Sequence, residues 1–114
     1  MQWATGFAIV FFGIIWTDGR GALSVQRQLD RFRDLGIDER RIVEDWDDLP
    51  PLRRGDEVIV CSPLLIADDV MGFALRYREI MRQDAQLTLD GVMTIGDWDE
   101  FPEVLEKWQK SKRL

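Results

Sequence analysis

The sequence predicts one α/β domain spanning residues 1–114, a three-layer sandwich in which helices cover both faces of a mostly parallel, four-stranded sheet. Three observations predict it. The runs FAIVFFGIIW (7–16) and EVIVC (57–61) are β-branched and aromatic without alternation, the pattern of strands covered on both faces of a parallel sheet. Helically spaced segments follow each run, giving the order β, α, β, β, α, β, α. The 114 residues also match one ordinary domain, long enough to bury roughly two thirds of the surface that the unfolded chain exposes.

Each element has its own signal. Residues 7–16 form the first, central strand, which TDGRGA (17–22) breaks with two glycines and an aspartate. Ser24 caps the helix that begins VQRQLDRFRDLG, where Val25, Leu29, Phe32 and Leu35 make one stripe and Gly36 supplies a left-handed end. Ile42 and Val43 form a short strand, followed by the acidic loop WDDLPPLRRGD, whose paired prolines hold an extended turn. EVIVC is the third strand. Asp68 or Asp69 then caps a helix that sets Val70, Phe73, Ala74, Tyr77, Ile80 and Met81 on one face. AQLTL (85–89) is the fourth strand and DGVMTIGD (90–97) a loop. A last helix, about 99–112, carries acids in its first turn and bases in its last, as its dipole favours. Right-handed crossovers place the first and third strands side by side.

Composition narrows the function classes. The formal charge of −6 opposes a polyphosphate partner, because phosphate binding needs Lys and Arg to displace counterions, although a local basic patch would serve. A single cysteine, Cys61, excludes an internal disulfide. The lack of histidine removes the ordinary zinc site and the imidazole base, so no cofactor is implied. A reducing cytoplasm is the expected setting. The apolar run at 7–16 is too short to span a membrane, and it lacks both a basic flank and a small-residue cleavage pattern. It is read as a buried strand, and no membrane partner is expected.

Three segments, LSVQRQLDRFRDLGI with RIVED, and then RRGDEVIVCSPL, together resemble the catalytic N-terminal domain of the small serine recombinases, the resolvase and invertase family. The first is similar to that family's helix after strand one, where a Leu, a Gln three residues on, a Leu and a terminal Gly recur. RGDEVIV is similar to the Gly-Asp turn that leads into its third strand. The resemblance covers roughly residues 7–90 and implies a resolvase-like fold of the broader flavodoxin- and Rossmann-like kind.

It also implies where chemistry would sit. In that family strand one ends in an Arg and then a Ser-Thr pair carrying the nucleophilic serine. This chain has GIIWTDGR there, with Thr17 as the sole hydroxyl and Arg20 beyond the strand end. After strand three the family carries a Leu-Asp-Arg-Leu-x-Arg run whose arginines clamp the scissile phosphate. Here SPLLIADD puts Leu64 and Leu65 at the Asp-Arg pair and Asp68 at the later Arg. Losing two or three preorganised donors would cost on the order of 10⁴ in rate or more. The chain also stops where the family continues into a longer dimerisation helix and a helix-turn-helix module, so no base-reading element is expected.

Other constellations compete with plainer roles. Asp45-Trp46-Asp47 and Asp97-Trp98-Asp99 offer paired carboxylates to a hard cation, since residues two apart in an extended segment share a side, yet neither has the loop of a calcium site. Solvated acids and helix caps are the plainer account, with Trp46 and Trp98 anchoring their loops. TDGRGA suits a tight turn as well as a phosphate cradle, and the fuller dinucleotide fingerprint is missing. Cys61 ends a buried strand with no His or Lys beside it, which suits an inert thiol.

The leading expectation is a non-catalytic, resolvase-like pseudoenzyme derived from a mobile-element recombinase. It would act through a protein partner or as a homodimer, using the last helix and exposed aromatic side chains. The alternative is a DNA-binding or weakly active recombinase-related protein with Thr17 as nucleophile and Arg20, Arg53 and Arg54 on the phosphate. That alternative requires these side chains to converge on one cleft. A third expectation is a small ligand at the carboxyl ends of the strands.

Overall fold

The computed structural model describes residues 9–17 and 23–112. Strand β1 (Phe11–Ile14) runs parallel to both β2 (Ile42–Val43) and β3 (Glu57–Val60), with Phe12 opposite Val58 and Gly13 opposite Ile42. Strand β4 (Gln86–Leu89) continues the sheet parallel to β3, and β5 (Met93–Ile95) closes it antiparallel to β4. The order is β2-β1-β3-β4-β5, with the first and third strands adjacent as expected from right-handed crossovers. The protein is thus an α/β fold with a mixed, mostly parallel sheet and, among the described residues, three α-helices: α1 (Val25–Asp34), α2 (Val70–Arg82) and α3 (Phe101–Ser111).

The sheet has five strands rather than the expected four. The segment predicted as a loop after β4 turns back through Gly91, at φ +77°, and pairs Met93 with Leu89 and Ile95 with Leu87. Three residues are too few for periodicity to register. What makes them a strand is that Met93 and Ile95 bury beside Leu87 and Leu89, while Thr94 meets Thr88 on the other face at 3.1 Å.

The two faces are covered unequally, which explains the different strand patterns. Phe12, Ile14, Val58 and Val60 join Phe73, Tyr77 and Ile80 of α2 and Val104 and Trp108 of α3 in the larger core. Ile15 and Ile59 pack on the opposite face with Phe32 of α1. Strands β1 and β3 therefore carry apolar residues on both sides and do not alternate. Strand β4 alternates, with Leu87 and Leu89 buried in the larger core, while on its other face Thr88 Oγ1 donates to Glu57 Oε2 at 2.9 Å.

Local chemistry fixes the helix ends. Ser24 Oγ accepts the Arg27 N–H at 3.2 Å, Asp69 Oδ1 accepts the Gly72 N–H at 2.6 Å, and Gly36 ends α1 at φ +80°. The α1 stripe differs from expectation. Val25 and Leu35 are exposed, and the buried pair on that helix is Gln28 and Phe32. Helix α3 starts after a 3₁₀ turn at Trp98–Glu100, and its apolar stripe, Val104 and Trp108, lies inside the domain's own core. The helix expected to serve association therefore offers a partner its polar side.

Candidate functional site

A sheet in the order 2-1-3-4-5 has its topological switch between β1 and β3, and ligands of such sheets bind outside the carboxyl ends of the strands at that point. Three strand exits meet there. Trp16 and Thr17 follow β1, Glu44 to Trp46 follow β2, and a 3₁₀ turn at Pro63–Leu65 follows β3. Together they line a crevice of about 320 Å³.

The β1 exit is held by one side chain. Gln28, reaching up from α1 and almost wholly buried, accepts the Trp16 N–H through Oε1 at 2.6 Å and donates through Nε2 to the Trp16 carbonyl at 2.8 Å. The amide thus satisfies both backbone groups of Trp16 where the ladder has ended. The buried Trp16 Nε1 finds no hydrogen-bond partner among the described residues. Thr17 is exposed at the lip of the crevice. The apolar stripe read from the sequence, Val25, Leu29, Phe32 and Leu35, does not include Gln28. The signal that finds it is a polar residue four before Phe32, in line with the helix's buried face.

The β3 exit is stapled by two indoles. Trp46 Nε1 donates to the Leu65 carbonyl at 2.5 Å, and Trp108 Nε1 donates to the Pro63 carbonyl at 3.2 Å. Ser62 caps the same turn, its Oγ accepting the Leu64 N–H at 3.3 Å. The outer face of Trp46 carries the Arg76 guanidinium at 4.3 Å. Burial lowers the pKa of Arg76 from its ordinary value, while the carboxylates of Asp47 and Asp45 raise it.

The two Asp-Trp-Asp triplets turn out to be one local device used twice. Asp45 Oδ1 accepts the Asp47 N–H and Asp97 Oδ1 accepts the Asp99 N–H, both at 3.2 Å, and each aspartate starts a 3₁₀ turn with Trp at its first position. Asp45 and Asp97 are themselves extended, and the 3₁₀ turns begin at the tryptophans that follow them. In each triplet one carboxylate oxygen of the first aspartate is engaged by the N–H of the second, which is the capping role expected as the plainer account. No group of three or more Cys, Asp or Glu able to hold a metal occurs among the described residues. Trp98 packs edge-on to Tyr77 at 5.7 Å, and the Tyr77 hydroxyl donates to the Asp97 carbonyl.

The arginines named with Thr17 lie elsewhere. Arg53 and Arg54 belong to the turn that enters β3 at its amino end, where the Arg53 N–H donates to Asp56 Oδ2 at 2.8 Å and Gly55 sits at φ +87°. Arg53 lines a cavity of about 510 Å³ with Arg40 and Arg41, whereas Arg54 lines a different one of about 220 Å³ with Asp84 and Trp98. Thr17 is at the opposite end of the sheet. The expected convergence of Thr17, Arg53 and Arg54 on one cleft is therefore absent, because parallel β1 and β3 carry strand exit and strand entry to opposite edges. Arg20 lies outside the described residues.

Chemically, the crevice presents an exposed hydroxyl, the carboxylates of Glu44 and Asp45, and the apolar Leu64 and Leu65. Cys61, at the exit of β3 on the α1 side, has its thiol pushed up to about 11 by burial and the nearby Asp90, partly offset by Arg31. Arg31 forms a two-pronged ion pair with Asp90 at 2.8 and 3.0 Å, tying α1 to the turn after β4. Among the described residues, no helix is long and apolar enough to cross a membrane. No family model matches the chain, and no curated protein matches it.

Proposed function

We propose that this chain is a non-catalytic, resolvase-like module, derived from a mobile-element site-specific recombinase, that acts through protein association in the cytoplasm. The observation that carries this is the exit of β3. Where the resembled family holds a phosphate with arginines, Pro63 to Leu65 form a 3₁₀ turn whose carbonyls accept the indoles of Trp46 and Trp108. That turn works as an internal anchor. Across the crevice stand Glu44 and Asp45, whose charge repels a phosphodiester. The expected arginine partners Arg53 and Arg54 sit at the far end of the sheet.

The test is a fluorescence-anisotropy titration of labelled duplex DNA at low and at raised salt. The expected result is no salt-dependent binding at micromolar protein. An affinity that falls linearly with the logarithm of salt would overturn the proposal, since it counts phosphate contacts, and would direct mutagenesis to Thr17 and Arg20.

A further inference from the structure

The two edges of the sheet carry opposite chemistry. At the carboxyl edge the crevice presents Glu44 and Asp45, whereas at the amino edge, where β2 and β3 begin, the cavity of about 510 Å³ carries Arg40, Arg41 and Arg53. Half of that cavity's wall is apolar, made by Val10, Phe12, Val43, Pro50 and Pro51. A volume within about 300–1,000 Å³, with apolar walls and a few convergent polar groups, is the usual form of a small-molecule site.

The arginines stand on backbone that aspartates fix. The Arg53 N–H donates to Asp56 Oδ2 at 2.8 Å, and the Asp56 N–H returns to the Arg53 carbonyl at 3.0 Å. Asp56 is itself part of the cavity wall and only 4% exposed, so this turn is held from inside. On the facing side the Arg41 N–H donates to the Asp38 carbonyl at 2.8 Å and closes the 3₁₀ turn ahead of β2. Turns held in this way lower the ordering cost of presenting a side chain to a ligand. Arg40 is already engaged, its Nη2 lying 2.8 Å from Asp38 Oδ2. The guanidinia of Arg41 and Arg53 form no ion pair among the described residues, although Asp48 and Asp56 line the same cavity.

A guanidinium holds a carboxylate through two parallel hydrogen bonds. A phosphate dianion would bring a second negative charge against Asp48 and Asp56, and an uncharged hydrocarbon would leave both arginines without a partner. One negative charge on an apolar body satisfies both parts of the wall. Going beyond the association role proposed above, we infer that this cavity binds a small organic monocarboxylate. Its carboxylate pairs with Arg41 and Arg53, and its hydrocarbon lies against Phe12, Val43 and Pro50.

Titration of hexanoate into the isotope-labelled full chain, read by the backbone amide shifts of Phe12, Val43 and Arg53, tests this. These amides are expected to move together and to saturate with a Kd of about 1 mM or tighter. Arg41→Gln and Arg53→Gln should each weaken binding about tenfold. Both side chains are exposed, so a circular-dichroism melt should be unchanged in the two variants. Hexanamide keeps the shape without the charge, and inorganic phosphate keeps a charge without the hydrocarbon. Each should bind about tenfold more weakly than hexanoate. Amides that stay in place at millimolar hexanoate overturn the inference. So does hexanamide binding as well as hexanoate, which would leave an apolar groove only, or phosphate binding as well, which would leave unselective attraction of anions. Binding indifferent to both arginine variants overturns it too. None of these outcomes bears on the association role, which the DNA titration tests by itself.

Discussion

The indole N–H of Trp108, in α3, donates to the carbonyl of Pro63, 45 residues earlier, at 3.2 Å. The same ring stacks on Phe73 of α2 with centroids 4.4 Å apart and carries the Lys112 ammonium on its other side at 4.5 Å. One side chain thus ties α3, α2 and the exit of β3 together. Trp108→Ala should cost about 3–5 kcal/mol, a large share of a domain stability of about 5–15 kcal/mol. Trp108→Phe keeps the stack and loses the hydrogen bond. It should cost less, about 1 kcal/mol for the bond plus a smaller packing loss, because the Pro63 carbonyl also accepts the Ile66 N–H. Urea unfolding followed by circular dichroism distinguishes the two.

Gln28 is the second polar contact on which the candidate site depends. Gln28→Ala leaves the Trp16 N–H and carbonyl without their partner, at about 1–3 kcal/mol for each group that water cannot reach. Gln28→Glu is the sharper probe, since a carboxylate still accepts the N–H but repels the carbonyl. Hydrogen exchange at the Trp16 amide should accelerate strongly in the alanine variant and less in the glutamate one. Equal protection in all three proteins would remove Gln28 from this role.

Gly13 permits the close seating of α1 on β1. A Cβ built there would stand 2.8 Å from Cε2 and 2.9 Å from Cδ2 of the fully buried Phe32. Gly13→Ala should therefore destabilise by about 1–3 kcal/mol through overpacking, despite alanine's ordinary fitness for a strand. Pairing it with Phe32→Leu should recover part of the loss, and the double-mutant cycle reads the coupling directly.

The Cys61 thiol should be slow to react at neutral pH. Its pKa is raised from 9.0 to about 11, so almost none is thiolate near pH 7. Labelling by a disulfide reagent should accelerate with an apparent pKa near 11 in the native protein and near 9 in urea. Because the fold favours the protonated thiol, its effect on stability is nil below about pH 9 and unfavourable as pH rises from 9 to 11. Asp90→Asn removes the carboxylate that raises the pKa and frees Arg31 to lower it, so labelling should speed up.

Among the features legible in the sequence are those whose causes are local. The doubly covered strands β1 and β3 showed as unalternated β-branched runs, the caps Ser24 and Asp69 as hydroxyl and carboxylate ahead of helical spacing, and Gly36 as the residue able to take φ +80°. The α/β class followed from their order. Other features depend on partners far along the chain. Strand β5 exists because Met93 and Ile95 find α2 and α3 beneath them. Gln28 is buried because β1 ends where its amide can reach, and the indoles of Trp46 and Trp108 find carbonyls 19 and 45 residues away. Thr17 is separated from Arg53 and Arg54 by the parallel pairing of β1 with β3, which sends exits and entries to opposite edges of the sheet. Periodicity and capping act over one or two turns of chain and are written in neighbouring residues. Sheet edges, buried polar clamps and the contents of a crevice are settled by which elements pack together, and that is decided only when the whole core forms.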